Sequence, residues 1–227
     1  MHRFYTPELI EATTLLTLSE AESKHGIQVM RLKENDSIEL FNGNGISAIT
    51  TIIEAHPKRC TVKIEKITIH PIEKTIHIAV APTKNMDRLE WLIEKATEIG
   101  LTKLSLLLCQ NSERREIKLD RLEKTAIAAV KQSGRYFVPE IVGLTKWKDF
   151  LKQYPSGLIA HCREGEKIKI DVYHQNKVIV IGPEGDFTLE EIELALTTGY
   201  ESITLGENRL RTETAALVSC IQVKYSF

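Results

Sequence analysis

The sequence predicts an α/β protein in two parts: a small β-rich domain over residues 1–72, and a larger domain over residues 73–227 built on a mostly parallel sheet. Three observations carry this prediction. From Ser37 to Ile69 the chain is β-branched and alternating, SIELFNGNGISAITTIIEAHPKRCTVKIEKITI. Asn42-Gly43-Asn44-Gly45 and His56-Pro57 divide that stretch as hairpin turns do, which predicts a small antiparallel sheet or barrel. After His70-Pro71 short Val-, Ile- and Leu-rich runs alternate with helical periodicity, as in a parallel sheet covered on both faces, so the boundary falls near residues 70 to 75.

Taken in order, Ser19 with Glu22 forms a capping-box start for a helix running toward Arg31, and the antiparallel strands follow it. IHIAVAP is a strand, and Asp87 to Ile99 a helix with Leu89, Leu92, Ile93, Ala96 and Ile99 on one face and Gly100 as its stop. LSLLLC, a helix from about Leu119 to Gln132, GLIAHC, VIVIGPEG, a helix from Thr188 to Thr198, and SITLG complete the alternation. The final helix takes Thr212 or Thr214 as its cap and docks through Ala215, Leu217, Val218 and Ile221.

The composition narrows the class. The chain is 42% hydrophobic and 27% charged, which suits a globular protein with a real core. No stretch approaches the roughly 18 apolar residues of a membrane span. The start MHRFYTPELIEATT lacks an apolar run of signal-peptide length, so a cytoplasmic protein without a membrane partner is expected. Cys60, Cys109, Cys162 and Cys220 are widely spaced, with no C-x-x-C pair and no histidine at zinc-ligand spacing; reduced thiols and no metal are expected. With 30 basic and 31 acidic residues the net charge is −1, so a nucleic-acid surface here is a local patch.

Ligands of a helix-covered parallel sheet bind at the carboxyl ends of its strands. That rule selects three loops: Arg163 to Glu166 after GLIAHC, Gly182-Pro183-Glu184-Gly185-Asp186 after VIVI, and Gly206 to Arg211 after SITL. The two glycines of the second loop suit close backbone approach to a ligand. A dinucleotide site is excluded, because G-x-G-x-x-G should open the first strand-to-helix turn and these glycines lie late in the chain. The last loop also holds more chemistry than a docking helix needs, since Arg209, Arg211 and Glu213 serve neither cap nor apolar stripe.

IGPEGDF (Ile181 to Phe187) and LGENRLRTETA (Leu205 to Ala215) are accompanied by KQSGRYFVPEI (Lys131 to Ile141) and NSER (Asn111 to Arg114). Lys84 with DRLEWLIEKATEIG, and His25 with VMRLKENDSIELFNG, add to them. Together these motifs resemble the RsmE-type ribosomal RNA methyltransferases over nearly the whole chain. The resemblance implies a PUA-like RNA-binding β-barrel at the amino terminus and a SPOUT-type domain with a trefoil knot at the carboxyl terminus. It implies an S-adenosyl-L-methionine pocket made by the three loops, with contacts from His161, Gly182, Glu184, Gly185, Leu205, Gly206, Asn208 and Leu210. It further implies methylation of N3 of a specific uridine in 16S rRNA of the small ribosomal subunit, and a homodimer paired near the cofactor. Two places depart from the family pattern: Asp186 stands where a second glycine is usual, and Asn208-Arg209 where an Arg-Ile pair is. The alternative readings are a noncatalytic RNA-binding or ribosome-assembly module, and a SPOUT methyltransferase acting on another RNA.

Methyl transfer to uracil N3 requires donor and acceptor held in line, and the N3 proton must leave. Arg211 suits stabilisation of charge on a uracil oxygen, while Glu213 suits accepting the proton or orienting that arginine; Glu184 is a second candidate base. The structural alternative for each is a salt bridge or cap that fixes its loop. Lys24, Arg31 and Lys33, Lys84 and Arg88, Arg114 and Arg115, and Lys131 with Arg135 are the candidate phosphate contacts. Aromatic residues make up 6% of the chain, which limits base stacking.

Overall fold

The computed structural model describes residues 1–174 and 176–226. The chain forms two compact units, Met1–Ile72 with Val130–Val138, and Glu73–Ala129 with Pro139–Phe227.

The first unit holds β1 (Arg3–Tyr5), β2 (Leu15–Thr17), helix α1 (Glu20–Lys24), β3 (Ser37–Phe41), β4 (Ile46–Glu54) and β5 (Thr61–Ile69). Its five strands pair in the order β1-β3-β4-β5-β2, antiparallel except for β1 beside β3. Alternation explains the sheet: Ala48, Thr50 and Ile52 of β4 point inward, and Phe4, Leu9, Leu18, Ile38, Leu40 and Val62 complete the core. Ser19 caps α1 by accepting the Glu22 amide at 3.3 Å, but the helix does not continue to Arg31. It passes into one wider turn, His25–Val29, whose carbonyls at His25 and Gly26 take the amides of Met30 and Leu32. Arg31, at φ +59°, ends it in the left-handed conformation usual for a helix stop.

Arg3 ties the segment Val130–Val138 into this unit. Its Nη1 donates to the carbonyls of Val130 and Lys131 at 2.9 and 3.2 Å, and its Nη2 to that of Arg135 at 2.8 Å. Val130 and Lys131 close a helix that spans Leu119–Ser133, where carbonyls lack amide partners and a cation is favourable. Glu39 holds the guanidinium from the other side at 2.8 Å, and the Tyr136 ring covers it.

The second unit is a six-stranded sheet, parallel throughout. Its elements are β6 (His77–Val80), α2 (Met86–Ile99), β7 (Lys103–Leu108), α3 (Leu119–Ser133, through Ala129 in this unit), β8 (Glu140–Lys146), α4 (Trp147–Gln153), β9 (Gly157–Ala160), β10 (Val178–Ile181), α5 (Leu189–Thr198), β11 (Tyr200–Ile203) and α6 (Thr212–Tyr225). Strand order is β11-β9-β10-β6-β7-β8. Helices α2 and α6 pack on each other, with α6 on β6 and β10, while α4 lies on β7, β8 and α5. Local signals mark the ends of α2 and α5: Gly100 stops α2, and Thr188 with Glu191 closes a complete capping box on α5. Two elements have weak local signals and were not expected from the sequence. β8 is a partly exposed edge strand, and α4 is seven residues long with no side-chain cap at Lys146.

Helix α6 departs from expectation in two ways. Its cap is Arg211, without a side-chain cap bond, and Thr212 is instead the first helical residue. Its buried face is Ala215, Ala216, Ser219, Cys220 and Val223, whereas Ile221 is 38% exposed and Leu217 and Val218 are half-buried. Small side chains let α6 lie close to its neighbours. The larger apolar residues are left on the outer face.

Candidate cofactor pocket

Strand order brings the three loops together. β9 lies between β10 and β11, so the loops leaving their carboxyl ends are spatial neighbours although they are far apart in sequence. The second and third loops line a cavity of about 560 Å³, within the usual range for small-molecule sites; of the first only the flanking His161, Cys162 and Lys167 reach it, and Arg163 to Glu166 do not. His161, Gly182, Glu184, Leu205, Gly206, Asn208 and Leu210 line it, as do Arg88, Asp186 and Arg211. Gly185 is not in the lining; its carbonyl accepts from Asn111 Nδ2 at 3.4 Å.

The second loop is packed tightly from within. A Cβ on Gly182 would stand 3.0 Å from the Phe187 ring, so this glycine makes room for a core aromatic. Thr212 Oγ1 donates to the Gly182 carbonyl at 3.2 Å, which joins the start of α6 to the loop. Asp186 takes φ +64° and accepts the Cys162 amide at 2.8 Å through Oδ2. Asn111 Nδ2 donates to the Asp186 carbonyl at 3.0 Å. Asn111 belongs to the NSER motif that stood out in the sequence, but nothing local marked it as a brace.

The basic residues near this loop are engaged by protein groups. Arg114 donates to the carbonyls of Thr83, at 3.1 Å, and Lys84. Lys84 gives its amide to Glu184 Oε1 at 2.9 Å and its ammonium to Glu113 at 2.8 Å. The bond to Glu113 raises the Lys84 pKa above its ordinary value. Arg88 Nε lies 3.7 Å from Glu213 Oε1, and Glu213 is only 7% exposed, with Oε2 buried and without a hydrogen bond. Glu213 is therefore paired with Arg88 and not with Arg211.

Arg211 is exposed on the cavity wall, and among the described residues its side chain has neither hydrogen bond nor ion pair. A loop-fixing salt bridge is not what holds it. His161 bonds Ser202 Oγ through Nε2 at 2.9 Å, while its Nδ1 is buried without a partner. Burial and the Lys167 ammonium hold this imidazole below its ordinary pKa, so it is neutral at pH 7. Gly206, at φ +136°, has open space where a Cβ would stand, and among the described residues the amides of Glu207 to Leu210 find no partner in the chain. Free amides on a cavity wall fit a polar small molecule such as S-adenosyl-L-methionine.

In the first unit Lys24, Arg31 and Lys33 are exposed, and Lys131 pairs with Glu22. Arg135 has a half-buried side chain, and its carbonyl accepts from Arg3. Arg115, in the second unit, is exposed. Among the described residues no group of three or more His, Cys, Asp or Glu side chains is placed to hold a metal, and no helix is long and apolar enough to cross a membrane.

Comparison with known proteins adds an independent finding. An RNA methyltransferase domain model matches residues 70–224, and an RNA methyltransferase PUA domain model matches residues 18–65. The ribosomal RNA small subunit methyltransferase E of Rickettsia conorii is 32% identical, over 98% of this chain and 95% of its own length. Its counterpart from Mesomycoplasma hyopneumoniae is 31% identical over 98% of this chain and all of its own. Among solved structures, a probable rRNA-methyltransferase from Porphyromonas gingivalis aligns with TM-score 0.84 at 35% identity, covering 97% of this chain and 95% of that one. A ribosomal RNA small subunit methyltransferase E from Neisseria gonorrhoeae bound to S-adenosyl methionine aligns with TM-score 0.86 at 26% identity, covering 98% and 97%.

Proposed function

The chain belongs to the RNA methyltransferase family of the ribosomal RNA small subunit methyltransferase E type, and from that premise we propose that it methylates N3 of a specific uridine in 16S rRNA. It is an S-adenosyl-L-methionine-dependent ribosomal RNA methyltransferase with a PUA-like domain and a SPOUT-type domain. The observation that carries the site assignment is the unpaired Arg211 on the wall of the three-loop cavity.

When bound, the cofactor supplies an electrophilic methyl group on a sulfonium. The loops would hold it by backbone groups of residues 205–210, with His161 lining the same wall. Arg211 stabilises negative charge on a uracil oxygen as the N3 proton leaves, and among the described residues no carboxylate pairs with it. Glu213 lies behind the wall and serves as counter-charge to Arg88, whereas Glu184 presents an exposed carboxylate on the wall and takes the proton.

Lys24, Arg31, Lys33 and Arg115 serve as phosphate contacts; their exposure supports this. A homodimer forms through the second unit, supported by the half-exposed Leu217, Val218 and Ile221 of α6 and by Trp91 of α2, 42% exposed. The segment carrying α6 threads the chain into a trefoil knot, and the enzyme works on the small subunit in the cytoplasm. Incubation with labelled cofactor and small subunits lacking the modification, followed by mapping of the methylated base, tests the reading. Label on N3 of one 16S uridine is expected; label on another atom or another RNA overturns the assigned target.

A further inference from the structure

We propose that Asp186 is a positioning residue for the cofactor: its carboxylate straps the loop after β9 to the loop after β10 and so holds the pocket in its binding shape. The proposal rests on the methyltransferase reading of this cavity. Asp186 is one of three described non-glycine residues with positive φ, at +64°, a conformation that costs an L side chain energy and persists only when its surroundings enforce it. The surroundings are four hydrogen bonds. Oδ2 accepts the Cys162 amide at 2.8 Å and Oδ1 accepts the Phe187 amide at 2.8 Å, while its own amide donates to the Pro183 carbonyl at 2.9 Å. The fourth, at the carbonyl oxygen, is the bond from Asn111.

The bond to Cys162 matters most. Residues 162 to 166 are all exposed, and among the described residues no other hydrogen bond joins them to residues 182–186. Cys162 and Asp186 both line the cavity, side by side on its wall where the two loops meet. Without the strap, cofactor binding must order the first loop itself, and affinity falls by the fraction of molecules in the competent arrangement. A carboxylate is the group that satisfies both amides, since each oxygen accepts one; an asparagine amide nitrogen accepts neither.

Asp186→Gly tests the strap in a chain expected to fold, because glycine adopts positive φ freely. A hydrogen bond to a charged group is typically worth enough to shift an equilibrium roughly ten- to a hundred-fold. S-adenosyl-L-methionine Kd by calorimetry, and its KM in methylation, should rise by roughly that factor, while the rate at saturating cofactor falls much less. Hydrogen exchange of the Cys162 amide should quicken in the variant without cofactor, and Asp186→Asn should lie between parent and glycine in every readout. A merely structural aspartate would lower the melting temperature and leave the cofactor Kd unchanged. Unchanged Kd in Asp186→Gly, or unchanged exchange at Cys162, overturns the proposal. A parent protein that fails to bind the cofactor overturns the methyltransferase reading and the cofactor role together, before any variant is compared.

Discussion

Arg88 and Glu213 meet at 3.7 Å where the first turns of α2 and α6 adjoin, placing an arginine on the cavity wall with a buried carboxylate behind it. Arg88 is 41% exposed at its side chain and Glu213 9%, so the pair lies between the surface and the fully buried regime. Arg88→Ala leaves the carboxylate buried without its counter-charge and should lower stability by about 2 kcal/mol. Adding Glu213→Gln to Arg88→Ala should recover part of that loss. Denaturant unfolding of the three variants checks this; an Arg88→Ala protein as stable as its parent contradicts the pairing.

Among the described residues Arg211 has no side-chain partner to lose. Arg211→Ala should lower the single-turnover methylation rate by about 10² to 10³, the usual cost of one preorganised charge contact, and barely change melting temperature or cofactor affinity. Arg211→Lys keeps the charge without the planar fork and should restore the rate only in part. A near-parental rate in Arg211→Ala eliminates the catalytic role.

Basic residues at the pocket and on the first unit should separate by salt dependence. Arg114 holds the carbonyls of Thr83 and Lys84, so Arg114→Ala should weaken S-adenosyl-L-methionine binding. Lys24 and Arg31 are exposed, so the double alanine variant should weaken RNA binding and reduce its salt slope by about two, leaving cofactor affinity unchanged. Filter binding across a salt series reads the second effect and calorimetry the first. Parental slopes in the double variant refute the phosphate contacts.

His77 gives the fold a pH dependence of known sign. Burial, with Lys103 nearby, lowers its pKa from 6.5 to about 4, and its Nε2 bonds Ser105 Oγ at 2.9 Å. Between those values the unfolded chain binds a proton that the folded chain refuses, so this contribution is full above pH 6.5 and lost as pH falls toward 4. Urea unfolding at pH 7 and near pH 4.5 should show the parent losing about 2 kcal/mol more than His77→Gln. Equal losses would remove His77 from the account.

Where a structural choice rests on neighbouring residues, the sequence determines it by itself. The Asn42–Gly45 turn, the Gly100 stop, the Thr188 and Glu191 capping box and the apolar runs of β6, β7, β9 and β10 are short-range signals, and the structure follows them. The two loops after β10 and β11 that line the cavity are legible for the same reason, since the ends of parallel strands can be located from the runs themselves. Tertiary structure alone decides the rest. Arg3 reaches the carbonyl of Val130, 127 positions away, and draws Val130–Val138 into the first unit. Arg88 meets Glu213, Asn111 braces Asp186, and Asp186 straps Cys162 because the order β11-β9-β10-β6 sets distant loops side by side. The outward face of α6 likewise follows from which small residues fit against α2 and the sheet, a matter of close packing that helical periodicity leaves open.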